Sequence, residues 1–182
     1  MTSFVNTSQI HICLKFSVTI SAPLIDVSKI EPLVVLPHKV AHNATVANSL
    51  AETRIDQAFI GSCANGRIED FKVAAEIMSG RQVAPGVRMI VTPGSQKVLQ
   101  EALAKGYVET LMSAGAVVTN STCGACYGGH MGVLGDGEVC ITASTRNFQG
   151  RMGSPEAAIY LGSPATVAAS AVRGFITDPR DV

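Results

Sequence analysis

At 182 residues, 47% hydrophobic and 15% charged, the chain is long enough for one ordinary core and too apolar to be disordered. Its 14 lysines and arginines balance 14 aspartates and glutamates, which excludes an overall basic field for nucleic acid and an acidic tail. No apolar stretch reaches the roughly 18 residues needed to span a bilayer, and the amino end lacks the blocks of a secretory leader. A cytoplasmic protein with a small-molecule site is therefore expected. In that reducing compartment five cysteines, an odd number, point to metal binding or burial rather than disulfides.

In chain order, Lys15-Phe-Ser-Val-Thr-Ile-Ser21 alternates like a strand with one wet face, and Leu33-Val-Val-Leu-Pro37 reads as a short edge strand. Neither has a clear partner. The expected organisation is an unmatched segment over 1–23 and an α/β domain over 24–182, a three-layer α/β/α arrangement on a mostly parallel sheet. From residue 57 onward, apolar runs alternate with helical segments, the rhythm of a parallel sheet covered by helices.

Gln57–Ile60 is a buried strand, and a helix follows from Arg67 to Ser79, with Ile68, Phe71, Ala75 and Met78 on one stripe and Gly80 to stop it. Val87–Thr92 is the next strand. Ser95 caps a helix running to Lys105, and Val108–Ala114 is a further short helix ending at Gly115. Strands at Ala116–Thr119 and Glu138–Ala143 come next. Ser154-Pro155-Glu156 and Ser163-Pro164 each place a cap before a first-turn proline, so two helices are predicted, the second ending near Gly174.

In open parallel sheets the ligand site lies beyond the carboxyl ends of the strands. Cys63 follows one apolar run, Cys123 and Cys126 follow another, and Arg146 and Arg151 follow a third. Glycines 61, 66, 124, 128 and 129 let backbone amides approach negatively charged sulfides. Three thiolates suit an iron–sulfur cluster with too few ligands to close it, leaving one iron open as a Lewis acid. Arginines five apart in a glycine-containing loop are natural forks for carboxylates, so a di- or tricarboxylic acid is the expected ligand.

Other readings stand beside this one. A Cys-x-x-Cys pair also fits a redox couple or incidental loop thiols, and His130 would complete a three-cysteine, one-histidine zinc site. The two arginines also fit surface ion pairs. Cys140, mid-strand, reads as a core thiol, Cys13 has no role, and His38 and His42 read as solvated loop residues.

Three stretches resemble the aconitase superfamily: Phe59-Ile-Gly-Ser-Cys-Ala-Asn-Gly-Arg-Ile-Glu-Asp70, Thr122-Cys-Gly-Ala-Cys-Tyr-Gly-Gly-His-Met-Gly132 and Arg146-Asn-Phe-Gln-Gly-Arg-Met-Gly-Ser-Pro155. The resemblance is greatest to the large subunits of the 3-isopropylmalate dehydratase and homoaconitase-like branch, and runs from about Ile25 to Arg180. It implies that Cys63, Cys123 and Cys126 ligate a [4Fe-4S] cluster and that Arg146 and Arg151 hold substrate carboxylates. The implied reaction is a hydro-lyase isomerisation, in which a hydroxy di- or tricarboxylic acid loses water and regains it at the neighbouring carbon. In this branch that chemistry serves leucine biosynthesis.

Thr145 stands where the family usually has asparagine, and Ala64 where a threonine is common. The family's catalytic subunits also carry upstream α/β regions with acid-side histidine and aspartate residues, and a swivelling domain brings a serine base. Those motifs are not in this sequence, so no catalytic acid or base is assigned here. The chain ends where large subunits of the two-subunit branch end, which implies a small, swivel-domain subunit as partner. The rival expectation is a remnant or interaction domain of the same fold that turns nothing over. The choice among isopropylmalate, homocitrate-type and dimethylmalate-type substrates stays open.

Overall fold

Every residue of the uncharged run Gln57–Gly61 is buried, a demand met by a strand with neighbours on both edges and layers on both faces. In the computed structural model, which describes Asp26 and residues 29–182, this run is an interior strand of a seven-stranded sheet. The strands are β1 (Leu33–Val35), β2 (Ala44–Val46), β3 (Gln57–Gly61), β4 (Arg88–Thr92), β5 (Val117–Val118), β6 (Val139–Thr142) and β7 (Ala158–Leu161). Their order is β2-β1-β7-β6-β3-β4-β5. The five from β7 to β5 are parallel; β1 runs against them, and β2, antiparallel to β1, returns to their direction. All of these lie in a compact unit spanning Glu31–Val182. The expected alternation at Lys15–Ser21 lies outside the described residues, as do Cys13 and the 1–23 segment.

Side chains alternate across the sheet. Ala58, Ile60, Met89, Val91, Ile141 and Ala143 pack against the helices, while Phe59, Ile90, Cys140, Ile159 and Leu161 face the opposite layer. The helices are α1 (Ser62–Asn65), α2 (Ile68–Met78), α3 (Gln96–Ala104), α4 (Tyr107–Ser113) and α5 (Pro164–Arg173). Residues Phe71, Ala74 and Met78 of α2, Leu111 of α4 and Val167, Ala168 and Ala171 of α5 are fully buried in that helical layer. The opposite layer is irregular, built from the loops after β5 and β6. It places the cysteine and arginine segments directly on the sheet.

Local chemistry explains the boundaries. The Arg67 amide donates to Asp70 Oδ2 at 2.9 Å where α2 starts, and Ser95 Oγ accepts from the Val98 amide at 3.2 Å where α3 starts. Ser163 Oγ accepts from the Thr166 amide at 3.1 Å, with Pro164 in the first turn of α5 and Gly174 in the left-handed cap at φ 78°.

Two expectations are corrected. The helix predicted after Ser154-Pro155-Glu156 does not form: Ser154 Oγ accepts only the Glu156 amide at 3.0 Å, and Ala158–Leu161 is strand β7 beside β6. Six residues separate Glu156 from the next cap at Ser163, too few for a packed helix, and Ile159, Tyr160 and Leu161 find alternating neighbours on a pleated surface. Leu33–Val35 is a strand but not an edge; β7 flanks it on one side and β2, which the sequence did not reveal, on the other. Three residues, Ala-Thr-Val, are too few to show a period.

The amino end of the sheet is pinned by an ion pair. Arg88 donates to both Glu138 oxygens at 2.8 and 2.7 Å and to Gln57 Oε1 at 3.2 Å, and Gln57 Nε2 donates onward to the Gly132 carbonyl at 2.9 Å. The Arg88 hydrogen bonds, followed by the Gly135 amide, hold the Glu138 carboxyl below the usual carboxylate range. A depressed folded value means that this stabilisation is fully present above the unfolded value of about 4.3 and is lost as pH falls through the folded one. Because both side chains are partly exposed, Glu138→Gln costs on the order of 1 kcal/mol or less at neutral pH. Thermal unfolding of the two proteins should differ from pH 7 to about 5 and converge in stronger acid; a gap unchanged at low pH would assign the cost to something other than this charge.

Candidate metal centre

Two loops meet over one threonine. The first leaves β3 through Gly61, at φ +147°, where an added Cβ would meet the Thr92 carbonyl oxygen at 2.5 Å. It turns once as α1, leaving the Cys63 side chain exposed. Asn65 Nδ2 donates to the Ala143 carbonyl, tying this turn to the end of β6, and the Gly94 amide donates to the Gly66 carbonyl at 2.7 Å.

The second loop leaves β5. Thr119 Oγ1 and Thr92 Oγ1 share a hydrogen bond at 2.9 Å, and Ser121 Oγ donates to the Pro93 carbonyl at 3.1 Å. Gly124–Cys126 then forms one 3-10 turn, closed by the Cys126 amide on the Cys123 carbonyl at 3.1 Å. Gly124 has φ +55° and lies on Thr92 and Phe59; a Cβ there would strike Thr92 Oγ1. Thr92 thus floors both cysteine loops. Cys63 and the Cys123–Cys126 pair stand at the same carboxyl edge of the sheet, as their positions after the apolar runs led one to expect.

The loop after β6 lies against the second loop. Arg151 Nε donates to the Cys126 carbonyl at 3.0 Å and Nη2 lies 3.7 Å from Cys126 Sγ. Backbone bonds run alongside: Gly128 N to the Arg151 carbonyl at 2.9 Å, Leu134 N to the Met152 carbonyl at 2.8 Å and Ser154 N to the Leu134 carbonyl at 2.9 Å. The Arg146 side chain is exposed and makes no hydrogen bond or ion pair among the described residues. Asn147 beside it is fully buried. Its Nδ2 donates to the Leu36 carbonyl at 2.6 Å and its carbonyl accepts from the His38 amide at 3.1 Å, while its Oδ1 has no partner.

Sequence reasoning missed Thr92, Asn65 and Asn147, which hold these loops. The Thr-Pro-Gly after β4 and the asparagines inside the cysteine and arginine stretches were the available signals. Cys140 is buried in the loop-side core, and burial pushes its thiol up to about 12, so it stays a neutral core residue as its mid-strand position suggested. His38 and His42 are exposed, at φ 70° and 54°.

Among the described residues no three cysteine, histidine or acidic side chains converge to hold one metal ion. The three-cysteine zinc site with His130 therefore finds no support in the geometry. A four-iron cluster spreads its sulfur ligands around a cube rather than about one atom, and three thiols on two glycine-rich loops are of the right chemistry for it. Gly61, Gly66 and Gly124 let both loops lie close on the end of β4, since a side chain at any of them would meet Thr92.

The family model for aconitase (aconitate hydratase) matches residues 17–174. The chain belongs to the aconitase family. Among its relatives, the 3-isopropylmalate dehydratase large subunit of Mycolicibacterium smegmatis is 61% identical over 158 residues, covering 87% of this chain and 37% of the relative. The corresponding large subunit of Aliarcobacter butzleri is 55% identical over 159 residues, with the same coverage. An Archaeoglobus fulgidus protein, large subunit 2 of the same enzyme, is 51% identical over 156 residues, covering 86% and 37%. The chain thus spans a little over a third of the length of these relatives, and its mostly parallel sheet with helices agrees with an aconitase-type α/β domain. No helix among the described residues is long and apolar enough to cross a membrane.

Proposed function

We propose that this chain supplies the iron–sulfur part of an aconitase-family hydro-lyase that isomerises a hydroxy di- or tricarboxylic acid, with 3-isopropylmalate as the favoured substrate and leucine biosynthesis as the setting. The observation that supports it is the shared Thr92 floor under the Cys63 and Cys123–Cys126 loops. Residues 24–182 form the functional domain in this reading, the cytoplasm is its compartment, and a small subunit is its partner.

Cys63, Cys123 and Cys126 would hold a [4Fe-4S] cluster, which when bound offers an open iron as a Lewis acid. The rest falls to the protein's own groups. Arg146, exposed and without a side-chain partner among the described residues, is free to take a substrate carboxylate in its fork, and the edge of Arg151 not committed to Cys126 points to a second carboxylate contact. Asn147 fixes the backbone next to Arg146 by its bonds to Leu36 and His38. Proton transfer belongs to groups outside this chain.

The test mixes the anaerobically reconstituted chain with the remaining portion of a relative's large subunit and with its small subunit, and follows alkene formation from 3-isopropylmalate. Turnover is expected only from the complete mixture, with kcat/KM down about 100-fold or more in Arg146→Ala, the scale of a lost charge-assisted fork. A cluster-loaded chain that never supports turnover in that mixture would favour the remnant reading instead.

A further inference from the structure

We propose that Arg151 is a positioning residue for the metal centre: it straps Cys126 through both its carbonyl and its sulfur, fixing the direction of the thiolate. This deepens the reading of Cys126 as a cluster ligand and rests on it. A guanidinium carries five N–H donors in a rigid plane. Here Nε takes the Cys126 carbonyl at 3.0 Å and Nη2 faces the Cys126 sulfur at 3.7 Å, so one side chain reads backbone and side chain of the same residue.

The strap is itself anchored. The Arg151 amide donates to the Phe148 carbonyl at 2.9 Å, its carbonyl accepts from Gly128 at 2.9 Å, and the next residue, Met152, is fully buried. Gly128 lies so close to the arginine loop that a Cβ would meet the Gly153 nitrogen at 2.7 Å. The loop carrying Arg151 is therefore held to the exit of the Cys-x-x-Cys turn from two sides. A lysine reaches one acceptor at a time and cannot reproduce the fork.

An N–H donor and a positive charge beside a ligating sulfur stabilise the more negative state of a cluster and slow loss of the ligand. If Arg151 served only as a carboxylate fork, its replacement would weaken substrate binding and leave the substrate-free cluster unaffected. The two roles are separable without substrate.

The 182-residue chain and its Arg151→Gln and Arg151→Lys variants are reconstituted anaerobically with iron and sulfide, then read by chelator-driven bleaching of the iron–sulfur absorption and by midpoint potential. Bleaching should accelerate about 10- to 100-fold in Arg151→Gln, the usual cost of losing a partner that orients a ligand. Its potential should move negative, and Arg151→Lys should bleach at least severalfold faster than the parent while keeping more of the potential. Thermal unfolding of the apo-proteins shows whether each variant folds; if Arg151→Gln does not, Arg151→Lys decides. Bleaching within twofold of the parent, at an unchanged potential, overturns the proposal and leaves the cluster reading standing. A parent chain that takes up no cluster overturns both.

Discussion

Cys63→Ser should leave the protein folded and unable to retain a cluster. The side chain is exposed on the single turn α1 and is absent from both cores, so removing its sulfur touches no packing. In the proposed centre it is the one ligand from the β3 loop, and with two thiolates left a cuboidal cluster would have a second open iron and be lost to chelators and oxygen. The expected result is an unfolding midpoint near that of the parent apo-protein with iron and sulfide close to background. Cys140→Ser is the contrast: a hydroxyl in the loop-side core costs about 1–3 kcal/mol in stability and leaves cluster content per folded chain unchanged. Iron analysis alongside thermal melts checks both, and a Cys63→Ser protein with full cluster content would remove Cys63 from the ligand set.

Gly124→Ala should be as damaging to the site as loss of a ligand, by a different route. Gly124 has φ +55°, where any Cβ costs about 1 kcal/mol, and here the Cβ also lands on Thr92 Oγ1, on Thr92 Cβ at 3.0 Å and on the Phe59 ring at 3.1 Å. Phe59 and Thr92 are fully buried and Thr92 is bonded to Thr119, so the loop must yield rather than the floor. A total cost of about 2–4 kcal/mol and a sharp fall in cluster content follow. Gly137→Ala isolates the backbone contribution: φ is +74° but nothing lies within 4 Å of the new Cβ, so only the strain of about 1 kcal/mol remains and the metal centre is untouched. Equal effects in the two variants would show that the Thr92 contact is not what shapes the cysteine turn.

Much of this arrangement was legible because the decisive signals were local. Gln57–Gly61 and Arg88–Thr92 are short apolar runs, Ser95 and Ser163 are caps whose oxygens do accept first-turn amides, and Gly80, Gly106 and Gly174 stop helices where a left-handed residue is needed. The placement of both cysteine segments followed from one rule, that loops leaving parallel strands in the same direction gather at one edge.

What failed did so for nonlocal reasons. Ser154-Pro155 carries a helix signal, but Ala158–Leu161 belongs to a strand because β6 and β1 offer it partners from residues far away in sequence. β2 exists because β1 needs an outer neighbour, which three unremarkable residues do not announce. At the site, cysteine spacing revealed candidate ligands, while the grip of Arg151 on Cys126 and the bonds of Asn147 to Leu36 and His38 depend on two loops lying against each other. No pattern of residue types within one loop contains that information.

If the two cysteine loops share one cluster, the metal content of the chain must show it. Iron and acid-labile sulfide per chain are to be measured after anaerobic reconstitution, with zinc determined in the same samples. About four irons and four sulfides per chain are expected, absent from Cys63→Ser and from Cys126→Ser alike. A colourless chain holding neither, or one holding a single tightly bound zinc, would contradict a shared cluster.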